Sequence, residues 1–273
     1  MIDLHCHLLA CFDDGAENDS VSAQMVRIAL ADGITAIVCT PHIMPGVYDN
    51  TGARIYDGVR ALQMVLHEAR IPISLFAGAD VHMAPDLVRS LRDGSVLTIN
   101  ESRYLLFEPP HHVLPPRLED CTFELMTAGY IPIITHPERL SWVDRNYELL
   151  PRLARAGVLL QLTAGSLTGR FGGRAQYWSK RMMDDGLCHL IATDAHNLTG
   201  RPPVLSGACE MLTERLGQEE ACNVFLRRPD LILRDGNPAD LRLRPMPATS
   251  RPRRSWRQSL PKLGRRRLLA VGG

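Results

Sequence analysis

Ile34-Thr35-Ala36-Ile37-Val38-Cys39-Thr40-Pro41-His42 decides the architecture: an apolar, β-branched run with no alternation of polar residues, followed at once by proline and histidine. A strand that is hydrophobic on both faces belongs in a parallel sheet covered by helices, whereas a sandwich strand alternates apolar with polar side chains. Working outward, runs of the same kind recur at Ile2 to His5, Ile73 to Ala77, Tyr104 to Phe107, Ile131 to Thr135, Val158 to Thr163 and His189 to Thr193. Helical spacing fills the intervals. Val21, Met25, Ile28 and Ala29 recur after Ser20, the expected N-cap, and Ala61, Met64, Val65 and Ala69 repeat the pattern in the next unit. Gly33, Gly129 and Gly157 fall where helices should stop. Strands alternating with helices predict an α/β domain, a seven-stranded TIM-like parallel barrel in preference to a sandwich. An open doubly wound sheet shares this periodicity, so the pattern alone leaves closure open.

The chain has 273 residues, 45% of them hydrophobic, enough to fill a sizeable core. No stretch approaches the ~20 consecutive apolar residues of a membrane span, and the start MIDLHCH lacks a charged and apolar leader, so a cytoplasmic protein is expected. Seven scattered cysteines without CxxC spacing fit a reducing compartment. The net charge of +1 conceals a division. Residues 1–240 hold 21 basic against 30 acidic residues, while residues 241–273 hold ten basic residues and no acid. Rich in arginine and proline, this last stretch reads as a disordered tail after a 1–240 domain, suited to an anionic membrane surface, an acidic partner or nucleic acid.

The histidines and carboxylates fall at the predicted strand ends. Asp3, His5 and His7 alternate at the first strand, and Asp13-Asp14-Gly15 follows. The later strands lead into His42, Asp80, Glu108, His136, and the pair Asp194 and His196. One histidine at a strand end is ordinarily a satisfied polar residue, and one Asp-Gly is a turn. Nine such residues in six separate units are another matter, because a parallel barrel gathers its C-terminal strand ends on one face. Imidazole mixed with carboxylate suits manganese, iron or zinc, and so many carboxylates call for more than one cation. His67 in a helix and His189 at a strand start read as structural. His82, His111 and His112 stand near the proposed face but outside the ligand set.

With MIDLHCHLL, DDGA, CTPH, GAD, FEPP, HPER and TDAHN in this order, the sequence resembles the polymerase-and-histidinol-phosphatase (PHP) superfamily, and within it the bacterial CpsB/CapC-type tyrosine-protein phosphatases. The resemblance runs from Met1 to about residue 235. It implies a distorted seven-stranded barrel and a site for three divalent ions, manganese first, with iron, zinc, cobalt or magnesium as substitutes. The ligands it implies are His5, His7, Asp14, His42, Asp80, Glu108, His136, Asp194 and His196, with Arg139 and Arg201 as catalytic phosphate binders. Asp80 departs from the family, which usually has glutamate there, so its reach between two metals is in question. The basic tail has no counterpart in the family pattern. The implied activity is hydrolysis of phosphotyrosine, in the C-terminal region of a bacterial tyrosine kinase of capsule or exopolysaccharide biosynthesis, by a cytoplasmic enzyme that can sit at the inner membrane.

Two other enzymologies compete with this one. Cys209 to Arg215 and Cys222 to Arg228 both have the C-x5-R spacing of thiol phosphatases, but neither contains glycine and both look helical, so a phosphate-wrapping loop is not expected. A small-molecule phosphatase of the histidinol-phosphate type would share the metals and differ in its pocket. A nucleic-acid-binding PHP protein acting through the tail is the reading from another class, with Trp256 the tail's only aromatic.

Overall fold

The computed structural model describes residues 1–247, so the tail reading beyond residue 247 lies outside the described residues. The elements in order are β1 (Ile2–Cys6), α1 (Asp19–Ala31), β2 (Ala36–Cys39), β3 (His42–Ile43), α2 (Gly52–Glu68), β4 (Ser74–Ala77), β5 (Asp80–His82), α3 (Leu87–Arg92), β6 (Tyr104–Glu108) and α4 (Leu118–Thr127). There follow β7 (Ile131–Thr135), α5 (Val143–Asn146), α6 (Leu149–Ala156), β8 (Leu159–Thr163), α7 (Ala164–Leu167), α8 (Gly172–Asp184), β9 (Leu190–Ala192), α9 (Ser206–Leu216), α10 (Gln218–Cys222) and α11 (Arg228–Leu233).

All the strand pairings are parallel, in the orders β1-β2-β4 and β3-β5-β6-β7-β8-β9. Two of the seven expected strands, the second and the third, are each continued past their expected end, after a break, by a further short strand, β3 and β5. The second breaks at Thr40-Pro41, where proline has no N–H for the ladder, and the third at Gly78-Ala79. A Cβ on Gly78 would lie 2.8 Å from Val38 Cγ1, so only glycine lets the neighbouring strand come this close. Across both breaks the order of neighbours is unchanged, with Ala36↔Ser74 before them and His42↔Asp80 after.

The first and last strands meet along a seam. His7 N donates to Ala195 O at 2.9 Å and Asp194 N to His5 O at 2.9 Å, bringing the site residues of β1 and of the chain after β9 together. Lower in the seam a side chain replaces the ladder: Asp3 accepts from Thr193 N at 3.0 Å and from Thr193 Oγ1 at 2.5 Å. The register of β1 against β2 also slips between Asp3 and Cys6, the mark of a bulge. The result is the distorted seven-position barrel.

Along β6, β7 and β8 alternate residues part company. Tyr104, Leu106, Ile133 and Leu159 join Ile2, Leu4, Val38 and Leu190 in a smaller cluster, whereas Leu105, Phe107, Ile134, Leu160 and Leu162 pack into the larger one beside helix residues such as Val26, Leu66 and Leu125. Ile232, Leu233 and Leu241 cap the smaller cluster. They lie at the N-terminal strand ends, where Tyr104 Oη donates to Gly236 O and Arg103 pairs with Asp235. The opposite end of the barrel is left for the polar residues.

Two local expectations are corrected. Asn18, rather than Ser20, caps α1, its Oδ1 accepting from Val21 N at 3.0 Å. In α2 the buried stripe is Ile55, Val59, Leu62 and Leu66, while Met64 is 66% exposed. Both stripes have helical spacing, and only the sheet beneath α2 selects between them. The residues just past the expected boundary at Asp240 also pack on the body: Leu241 is buried, and the buried Arg228 donates to Leu241 O and Arg242 O.

Candidate metal centre

Each strand end delivers its side chain by a specific device. β1 supplies His5, and the residue just past its end is His7, both fully buried. Gln161 Oε1 engages His5 Nδ1 at 2.8 Å and Asp13 Oδ2 engages His7 Nδ1 at 2.6 Å, so that both Nε2 atoms face inward, 3.0 Å apart. Asp13 also accepts from the backbone N–H of His42 and of Gly15, tying the loop to the head of β3. His136 and Asp194 adopt left-handed backbone conformations, φ 36° and 51°, a region that aspartate and histidine enter more readily than most non-glycine residues.

The nine expected residues come together at one end of the barrel. Asp80 Oδ2 lies 3.5 Å from His5 Nε2 and 3.4 Å from His42 Nδ1, so the shorter aspartate still reaches both. Glu108 lies 3.5 Å from His42 and 3.4 Å from His136. Asp194 Oδ1 stands 3.5 Å from both His5 and His7 and 3.6 Å from His196. Asp14, with a half-exposed side chain, faces His196 and His42 at the mouth. Among the described residues, four overlapping groups have their potential ligand atoms within 4.8 Å of one another: His7, Asp14, His42 and His196; His5, His7 and Asp80; His42, His82 and Glu108; Asp80, Glu108 and His136. His82, set aside in the sequence, thus joins the cluster, its Nε2 2.5 Å from Glu108 Oε2 but poorly aligned for a hydrogen bond.

The donor atoms fit a cation. His42 Nδ1, both Asp80 oxygens, Glu108 Oε2, His136 Nδ1 and His196 Nε2 are buried with no hydrogen-bond partner. Orphaned polar atoms at this density cost far more than a protein interior tolerates unless an ion satisfies them. The electrostatics agree. Burial alone would lower the pKa of His7, but Asp13 and Asp194 overcome it and raise the imidazole to about 10. Burial opposes ionisation of Asp194, yet His5, Arg201, His7 and Arg139 hold its carboxyl well below the usual range. The His196 imidazole, its Nε2 3.5 Å from Asp14 Oδ1, brings Asp14 down to about 2. The pocket is strongly cation-seeking.

Arg139 and Arg201 converge on the rim. Both guanidinium groups bond Asp194 Oδ2, Arg201 at 2.6 Å, and both lie over the ring of Phe171, at 4.3 and 5.8 Å from its centroid. Arg201 Nε is buried without a partner. His111 sits behind them, its ring 5.7 Å from that of His136, and burial together with His136 and Arg139 lowers its pKa to about 4. His112 and His67 are exposed, and the Nδ1 of buried His189 accepts from Leu160 N. Cys209 lies in α9 and Cys222 ends α10, while Arg215 and Arg228 are engaged by Asp184 and Glu220, so neither C-x5-R segment forms a phosphate cradle. Sequence reasoning missed Asp13, Gln161 and Phe171. The only signal for Gln161 was one polar residue within the apolar run Leu159 to Leu162.

Fold and site together define a parallel barrel with a histidine–carboxylate centre and an arginine pair at its C-terminal strand ends. The chain belongs to the capsular polysaccharide synthesis CpsB/CapC family, whose model matches residues 1–234. It is 35% identical over 219 residues to the tyrosine-protein phosphatase YwqE of Bacillus subtilis, covering 80% of this chain and 86% of that one. The putative tyrosine-protein phosphatase CapC of Staphylococcus aureus is likewise 35% identical, over 75% of this chain and 80% of its own. A solved structure from work on YwqE and the CpsB of Streptococcus pneumoniae, described as unique metal-dependent tyrosine phosphatases, superposes with a TM-score of 0.84 at 34% identity, covering 87% of this chain and 96% of that one.

Proposed function

We propose that the chain is a metal-dependent protein-tyrosine phosphatase, acting on phosphotyrosine in the C-terminal region of a bacterial tyrosine kinase of capsule or exopolysaccharide synthesis. The observation that carries this reading is the gathering of imidazole and carboxylate atoms from six strand ends, those of five left unpartnered, beside two converging arginines. The proposed ligands are His5, His7, Asp14, His42, Asp80, Glu108, His136, Asp194 and His196, holding three divalent ions with manganese as the resident metal. Sharing of His7, His42, Asp80 and Glu108 among overlapping groups supports more than one ion.

Bound divalent cations supply the Lewis acidity that makes water nucleophilic near neutral pH. The chain's own residues do the rest. Asp13 and Gln161 orient the rings of His7 and His5. Arg139 and Arg201 take the phosphate oxygens through their planar forks and neutralise charge that grows on them during transfer. A phenolate, with a solution pKa near ~10, departs with little help from a general acid, which favours tyrosine over alkyl phosphates. We place the enzyme in the cytoplasm, with a phosphatase domain over residues 1–240 and the Arg/Pro-rich stretch from residue 241 as the part that would contact an anionic membrane surface, an acidic partner or nucleic acid.

The test is hydrolysis of a phosphotyrosine peptide against histidinol phosphate. Chelation should abolish the first activity and manganese restore it. Full turnover by protein shown metal-free by elemental analysis, or a preference for histidinol phosphate, would overturn the reading.

A further inference from the structure

We propose that Phe171 is the positioning residue for phosphate recognition, its ring holding the guanidinium groups of Arg139 and Arg201 together at the rim of the metal centre. This rests on the reading of those arginines as phosphate binders.

The short segment between α7 and α8 is built as a clamp on both arginine-bearing loops. Gly169 and Gly172, at φ 89° and 84°, turn the chain sharply on either side of Arg170 and Phe171. Arg170 Nη1 donates to Thr199 O at 2.9 Å and to Gly200 O at 3.3 Å, the two residues before Arg201. Asn197 Oδ1 pins the same loop by accepting from Arg201 N at 2.9 Å. On the other side Arg174 Nη1 and Nη2 donate to Arg139 O at 3.3 Å and Leu140 O at 2.7 Å. Phe171 stands between these ties. Its ring is seated against Gly165, where an added Cβ would fall 2.9 Å from Phe171 Cε2.

An aromatic face suits this task better than a carboxylate. It attracts the guanidinium through the ring quadrupole and leaves the N–H donors at the guanidinium edge free for phosphate oxygens. Asp194 holds the same two arginines through those N–H groups. A ring beneath the pair keeps them in place when their donors are committed to the substrate.

Three variants test this: Phe171→Leu keeps bulk without the quadrupole, Phe171→Tyr keeps the ring, and Gly165→Ala displaces the ring without removing it. On metal-loaded protein, inorganic phosphate binding is measured by calorimetry, kcat/KM on a phosphotyrosine peptide, and metal content by elemental analysis. F171L should lose about tenfold in phosphate affinity and in kcat/KM. G165A should lose in the same direction, F171Y should stay within about twofold, and metal content should be unchanged in all three. Wild-type phosphate affinity in F171L, or an equal loss in F171Y, would overturn the proposal, as would a fall in metal content matching the loss of affinity. Phosphate affinity that depends on Phe171 in a protein that ignores phosphotyrosine would uphold it while sinking the substrate assignment.

Discussion

Asp194 is where the metal cluster and the arginine pair meet: Oδ1 faces His5, His7 and His196, and Oδ2 takes both guanidinium groups. Under the proposed function the two oxygens would divide ion binding from phosphate binding, and substitutions on either side should separate the two functions. Arg139→Ala and Arg201→Ala should each keep bound metal yet lose on the order of 10- to 1000-fold in kcat/KM on a phosphotyrosine peptide, about 1.4 to 4 kcal/mol of transition-state stabilisation. His136→Ala should instead lower metal content, because its ring lies with Asp80 and Glu108 in one candidate group. Elemental analysis beside steady-state kinetics distinguishes the cases, and an arginine variant with wild-type kcat/KM would remove that residue from the mechanism. The nine strand-end residues were legible because each follows an apolar run. Asp13 was not, since choosing between Asp13 and Asp14 needs the loop's path: one points back to His7 Nδ1 and His42 N, the other out to the mouth.

At the scale of elements, the seam between β1 and the end of β9 sets the geometry of the site. Asp3 occupies it as a buried carboxyl, pushed up to about 6 by burial against the pull of its bonds from Thr193. Asp3→Ala leaves Thr193 N and Oγ1 without their acceptor, and should cost about 2 to 4 kcal/mol of stability. Because Asp194 N and His7 N bond across the same seam, this variant should also bind metal more weakly. Denaturant unfolding and metal titration together check it, and a variant that is destabilised with unchanged metal affinity would show that the seam does not set the site. Strand positions were readable from apolar runs, but the breaks at Pro41 and Gly78 were not read from them, because they answer to neighbouring strands. The buried stripe of α2 was misread for a like reason: two apolar stripes satisfied one period, and packing chose Leu62 and Leu66 over Met64 and Val65.

At the scale of the whole molecule, the C-terminal segment closes the barrel end opposite the site. Arg228 is buried and spends its guanidinium on the carbonyls of Leu241, Arg242 and His189 and on Glu220. A chain ending at residue 247 should therefore match the full chain in stability and metal-dependent turnover, whereas one ending at residue 240 should lose about 2 to 4 kcal/mol as the buried guanidinium, still paired with Glu220, loses two carbonyl acceptors. Equal melting temperatures for the two truncations would show that the packing of Leu241 and Arg242 is incidental. The sequence by itself determined the parallel α/β class, the strand order along the chain and the chemical types gathered at the strand ends, since apolar runs and ligand-bearing residues are local properties of a chain. Only the tertiary structure decided which carboxylate orients His7, how a seam of two backbone bonds and one aspartate joins the first strand to the last, and that Phe171 lies beneath two arginines 32 and 30 residues away in sequence. Those are contacts between distant segments, set by packing that no local pattern records.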